Sequence, residues 1–196
     1  MVSPNNDTIY SIAIVDTRKG FEVTVPDVGE RFVSLHIQDF NHTFVDYSWD
    51  SGTHSYDAAA INTDYVLVGL RIATTATEED QAFVHGALHP GSGIVAPSTI
   101  PFDTKLDPDL TARVRSALLP EYGRLADTYG TVKYDIRAVD DWEKWTYTIA
   151  GGWGLSPEDT AMYAGFAPSG PEGGTCYAAT FDPVPADAFF SLTVYD

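Results

Sequence analysis

Hydrophobic and polar positions divide the 196-residue chain into three stretches of different period. From 1 to 75 the period is that of strands. "YSIAIVDT" is a nearly continuous apolar run of strand length, and "FEVTVP" sets Phe21, Val23 and Val25 against Glu22 and Thr24. Alternation every second residue turns one side of an extended chain to a core and the other to water. Asp27-Val28-Gly29-Glu30 interrupts with turn formers, and "RFVSLHIQDF" resumes the alternation through Val33, Leu35 and Ile37. "DYVLVGLRIA" predicts a last strand, with Gly69 as a bulge. Several short strands between turn signals predict a sandwich or barrel.

From 76 to 130 the pattern is helical. Thr77 and Asp80 have the spacing of a capping box, and "TEED" puts acid in a first turn, where the helix dipole favours it. "HPGSGIVAPSTIPFD" is a loop by its prolines and glycines. Asp107 then reads as an N-cap with Pro108 at the first helical position, and Leu110, Val114, Ala117 and Leu118 follow at helical spacing. Pro120 is expected to kink or divide this helix and Gly130 to end it. From 131 to 196 strands are expected again. Ser156, Pro157 and Asp159 predict a short helix start, "TCYAATFD" a strand, and "DAFFSLTVYD" an alternating last strand that needs a partner. The fold class expected is therefore α+β, mostly β. It comprises a jelly-roll-like or sandwich β domain (1–75), a helical connector (76–130) and the beginning of a second β domain (131–196).

Composition narrows the function classes. Hydrophobic residues make up 44% and aromatics 13%, enough for a folded core. Eleven Lys and Arg against 28 Asp and Glu leave a net charge of −17, which repels phosphate backbones and anionic lipid. No nucleic-acid or membrane partner is expected. No run has the length of a transmembrane helix. The first residues lack a signal peptide's pattern, so the chain as read is placed in the cytoplasm, and an exported product would need a leader upstream. Cys176, the sole cysteine, excludes an intrachain disulfide and is expected as a small buried residue.

Two polar clusters stand out. Asn5-Asn6-Asp7-Thr8, with Tyr10 beyond, precedes the first strand. Such residues commonly bond their own backbone in turns, yet strand-end loops on a rigid scaffold also carry sites. Asp39 and Asn41 form the second cluster, in "HIQDFNHTF". If both strand ends converge, Asp7 and Asp39 supply acid–base chemistry, while Asn5, Asn6, Thr8, Tyr10, Asn41 and Arg31 hold a substrate. The structural alternative has Asp7 capping backbone N–H groups and Arg31 pairing with Asp27 or Asp39. Metal chemistry is not expected. His36 and His42 would stand about 20 Å apart on a straight strand, and His85 and His89, though at i and i+4, have Gly86 where a zinc protease has glutamate. No nucleophile elbow, P-loop or dinucleotide fingerprint is present, and no cofactor is assigned. Trp142, Trp145 and Trp153 read as packing rather than a sugar platform.

"SPNNDTIYSIAIVD", "VPDVGERFVSLHIQDFNHTF" and "INTDYVLVG" resemble the first domain of a bacterial pair of domains of unknown function, DUF1254 and DUF1214. "GWGLSPEDTAMYAGF" and "VPADAFFSLTVYD" are similar to the start of the partner domain. The resemblance implies two β-rich, jelly-roll-like domains joined by helices. It carries over Asn5, Asp7, Thr8, Tyr10, Arg31, Asp39 and Asn41 as shared polar residues. It further implies that the chain is truncated at both ends, lacking a helical stretch before the opening motif and several strands after the last one. Two functions stand open: a hydrolase of a small or lipid-like substrate, and a non-catalytic β module that binds a small-molecule ligand or a partner chain. The unpaired last strand adds the expectation of a homo-oligomer.

Overall fold

The structure is a computed structural model that describes residues 7–75, 77–88, 93–103, 105–161, 176–188 and 190–192. Strand β1 (Thr8–Asp16) pairs antiparallel along its whole length with β6 (Tyr65–Ala73), from Thr8 opposite Ala73 to Asp16 opposite Tyr65. On its other side β6 pairs with β3 (Val33–Asp39), which pairs with β4 (Phe44–Ser48), giving the order β1-β6-β3-β4. A smaller sheet holds β2 (Phe21–Val25) and β5 (Gly52–Tyr56). The fold is α+β and strand-rich, with two antiparallel sheets and no closed barrel among the described residues.

Register explains which residues form the core. Facing residues of paired strands share a side, so Ile9, Val15, Val33, Leu35, Ile37, Val66, Val68, Leu70 and Ile72 all lie on one face of the large sheet. Phe21, Val23 and Val25 of the small sheet pack against them, together with Ile61 and with Val84 and Leu88 of helix α1 (Glu78–Leu88). Eight of these side chains, among them Leu35, Ile37 and Ile72, are fully buried, each worth roughly 1.5–3 kcal/mol relative to exposure. The strands read from alternation are present. Gly69 forms no bulge: it sits in unbroken register, and the irregularity falls between Ile37 and Gln38, where β4 joins.

The helical stretch departs from expectation at its end. Asp107 caps helix α2 (Pro108–Tyr122), accepting from the N–H groups of Asp109 and Leu110, but α2 runs through Pro120 and stops at Gly123, not Gly130. Pro120 is tolerated because it falls in the last turn, where it withdraws a single N–H near the helix end. Helix α3 (Trp142–Gly152), capped by Asp141, lies in the segment expected to be β and packs on α2, with Arg115 Nε donating to the Ala150 carbonyl at 2.8 Å. At Ser156 the chain makes one turn, Thr160 and Ala161 both donating to the Pro157 carbonyl, and the remainder of the expected helix lies outside the described residues. Residues 176–182 carry no strand and are exposed, Cys176 included, which corrects its expected burial. A strand needs a hydrogen-bonding neighbour, and none of the described strands offers that segment one. Of the expected last strand only 187, 188 and 190–192 are described, without regular structure.

Candidate functional site

Asp7 and Asp39 do not meet. Thr8 lies opposite Ala73 and Asp39 opposite Val66, so they occupy opposite ends of the sheet, about 25 Å apart along β6. The expected convergence of the two clusters is thereby corrected: β1 and β3 both run antiparallel to β6 and so parallel to each other, which puts the start of one and the end of the other at opposite ends of the sheet. Each end has its own local chemistry. Asp39 is buried and accepts the N–H groups of Asn41 and Thr43, each at 2.9 Å, closing the β3–β4 hairpin. Asn41 belongs to that turn. At the other end the Thr74 N–H donates to the Asp7 carbonyl, and the exposed Asp7 carboxylate takes the Ser191 hydroxyl. Arg31 lies at this end too. It pairs with Asp80 rather than with Asp27 or Asp39, through bonds of 3.1 and 2.6 Å, and also donates to the Ala73 carbonyl. That pairing, with further bonds from Thr75 N–H and the Thr74 hydroxyl, holds the Asp80 carboxyl far below the usual carboxylate range. Thr8 is buried at the start of β1. Asn5 and Asn6 lie outside the described residues.

Tyr10 leads to a different place. It faces Arg71, which faces Ser34, on the side of the large sheet turned away from the core. The next row on that outer face runs Ile12, Gly69, His36, Tyr47, and the row after it Ile14, Leu67, Gln38, Phe44. Arg71 Nε donates to Ser34 Oγ at 2.8 Å, one terminal nitrogen of Arg71 donates to the Tyr47 hydroxyl at 3.1 Å, and Ser34 Oγ meets His36 Nε2 at 3.1 Å. The Tyr47 hydroxyl donates onward to Ser156 at 3.4 Å, joining the sheet to the loop after α3. Ser34, Arg71, Tyr47 and Gln38 are all buried. Burial, followed by the neighbouring Arg71 charge, pushes His36 down to about 3, so its imidazole is neutral at any physiological pH.

Gln38 differs from its neighbours. Its side-chain Nε2 is buried and has no hydrogen-bond partner among the described residues. Buried donors are nearly always satisfied, and an orphan costs about 1–3 kcal/mol, so such a group marks a place where an acceptor belongs. Beside this buried cluster the outer side of β1 is apolar and open: Tyr10, Ile12 and Ile14 are 40%, 58% and 47% exposed. A shallow concavity of about 400 Å³ lies elsewhere, between Tyr129, Gly130, Thr131, Asp140, Asp141 and Lys144, and the Lys144 ammonium in it is held at 2.7 Å by both Asp127 and the Tyr129 carbonyl. Among the described residues no three His, Cys, Asp or Glu side chains converge as a metal site would need. Trp142 and Trp145 meet edge to face at 5.2 Å, and Trp145 stands likewise against His42.

Sequence reasoning picked out Tyr10 and considered His36 as a metal ligand, but assigned no role to Ser34, Gln38, Tyr47 and Arg71. A signal for them existed. Arg71 is the one charge within "VLVGLRIA", and Ser34, His36 and Gln38 alternate with Val33, Leu35 and Ile37.

Residues 1–85 match the profile of a protein family of unknown function, DUF1254. That match spans the six strands and most of α1, including every residue of the polar rows; Ser156 lies beyond it. No curated protein matches the chain. A solved structure of similar fold is that of the VPA0106 protein from Vibrio parahaemolyticus, 14% identical, with a TM-score of 0.51 over 78% of this chain and 58% of that one. At that identity the likeness concerns the fold, and the chain spans a little more than half the length of that relative. Among the described residues no helix is long and apolar enough to cross a membrane.

Proposed function

We propose that the chain is a non-catalytic binding module for a small lipid-like molecule with an acceptor head group, a carboxylate by preference, and that its working surface is the outer face of the large sheet. The observation carrying this reading is the orphaned Gln38 Nε2 in the row where Ile14 and Leu67 are neighbours. An apolar tail would lie along Tyr10, Ile12 and Ile14, covering side chains that now meet water. Its head would take the Gln38 donor, with the positive charge of Arg71 two rows away favouring an anion over a neutral group.

A hydrolytic reading would have to use the Ser34–His36 contact, since Asp7 and Asp39 stand at opposite ends of the sheet. Two facts weigh against it. Ser34 is fully buried, and an imidazole whose conjugate acid sits at about 3 is a poor base for activating a hydroxyl at neutral pH.

Thermal unfolding in the presence of octanoate and of octanol tests the reading. Octanoate should raise the melting temperature in a saturable manner, octanol less, and Gln38→Leu should erase the difference between them. The reading fails if neither compound binds saturably, or if Gln38→Leu leaves the preference for the acid intact. Turnover of a short-chain nitrophenyl ester that Ser34→Ala abolishes would establish the hydrolase instead.

A further inference from the structure

Sheet edges expose unpaired N–H and C=O groups, and folded chains usually shorten, bend, charge or cover them. Three of the edges here are treated in that way. β4 has five residues beside a bulge, and its Phe44 N–H is taken by the Lys133 carbonyl at 2.8 Å. β2 exchanges two 2.9 Å bonds with Val95. β5 is five residues long and opens on a glycine of positive φ. β1 is different. It runs nine residues without Gly, Pro, Lys or bulge, and from Ile9 to Val15 its main chain has no described partner on the side away from β6.

We infer that two copies of the chain pair β1 with β1 in antiparallel fashion, about a two-fold axis at Ile12, extending the four-stranded sheet to eight strands. A two-fold axis perpendicular to a sheet keeps outer face with outer face, so one residue must stand opposite itself. Full overlap of the open stretch Ile9–Val15 makes that residue Ile12. Tyr10 then faces Ile14 of the other copy, Ile9 faces Val15 and Ser11 faces Ala13, so apolar meets apolar on the outer face and small meets small within. The charges also fit a second copy. Asp16 is the strand's one charged residue, and its carboxylate is already taken by the Ser98 hydroxyl at 2.6 Å, the Ile100 N–H at 3.0 Å and the Arg18 guanidinium at 2.9 Å. Two chains of net charge −17 each would therefore meet along a strip that contributes no free charge to their repulsion. A strand of this length spans about 30 Å, a narrower contact than the roughly 800 Å² per partner of a standard interface, so the association is expected to be reversible.

This inference is independent of any ligand, and its test is run without one. Sedimentation velocity across micromolar concentrations should show a monomer–dimer equilibrium that strengthens with salt. Ser11→Lys, an inward-pointing charge on the edge, should give a folded monomer whose far-UV circular dichroism matches that of the parent. Facing residues of an antiparallel pair have Cα atoms about 4.5–5.5 Å apart, within disulfide range. In a Cys176→Ser background, Ile12→Cys should therefore form a linked dimer on mild oxidation and Tyr10→Cys should not. A monomer at every concentration overturns the proposal. So does a dimer that survives Ser11→Lys, a failure of Ile12→Cys to link, or equal linking of both cysteine variants.

Discussion

Asp39 and His42 show how a hairpin turn with no catalytic partner still concentrates chemistry-bearing residues. The Asp39 carboxylate satisfies two N–H groups of the turn. Asp39→Ala should cost about 1–3 kcal/mol in urea unfolding, whereas Asp39→Asn, whose amide oxygen still accepts, should cost less. Equal losses would mean that the charge rather than the acceptor matters. His42, three residues on in the same turn, has φ 60, and its Nε2 accepts from the Gly154 N–H at 3.0 Å. Burial lowers its pKa to about 4 even though Asp39 pulls the other way. A group whose pKa is depressed on folding binds protons more readily in the unfolded chain, so stability is full above about 6.5 and is lost as pH falls toward 4. The loss is on the order of 3 kcal/mol for His42, with His36 adding to it in the same direction. Asn tolerates positive φ, so His42→Asn should keep the turn while flattening stability between pH 6.5 and 5. An unchanged slope in urea titrations at those two pH values would assign the effect elsewhere. Sequence alone marked Asp39 and Asn41 as notable but not as a closed turn, because a carboxylate offered to a backbone and one offered to a substrate look alike in one dimension.

At the scale of elements, legibility followed burial. β1, β2, β3 and β6 carry the alternation or the apolar run because each turns at least one side to the core. β4 ("FVDYS") and β5 ("GTHSY") went unread, since five residues with Asp46, His54 and Ser55 look like a loop until strand neighbours are known. Their inward polar groups bond each other instead, Tyr56 donating to Asp46 at 2.5 Å, with the Tyr56 hydroxyl pKa raised by burial and by that bond. Helix α3 hid behind its tryptophans and paired glycines. One of those glycines is structural: a Cβ on Gly151 would lie 2.1 Å from Tyr122 Cδ1 and 2.2 Å from Cγ, against the root of the ring, which has little freedom to yield. Gly151→Ala should therefore loosen the α2–α3 contact at a cost of about 1–3 kcal/mol. Tyr122→Ala should make the same alanine harmless or favourable, so a double-mutant cycle should return a clear coupling between the two sites. Additive losses would show that the helices separate rather than collide.

For the whole molecule the acidic surplus sets the terms. With 11 cationic side chains against 28 acidic ones, pairing every Lys and Arg would still leave most acids without a cation, and several of the pairs present are exposed. Exposed pairs of that kind contribute about 0–1 kcal/mol each, so screening them removes little. Screening the repulsion among the surplus acids should do more, because a compact chain holds those charges closer than an unfolded one does. Sodium chloride should accordingly raise the melting temperature by several degrees as the Debye length shrinks from about 10 Å at 0.1 M to about 3 Å at 1 M. Sucrose of equal osmolality, which acts by exclusion from the surface, separates that effect from screening. If chloride and sucrose act alike, or if salt lowers the transition, self-repulsion is not what limits stability. The ion pairs at Asp80 and Asp16 would then matter more than the overall charge, and Arg31→Met, which removes the first of them, should lessen the salt-induced fall.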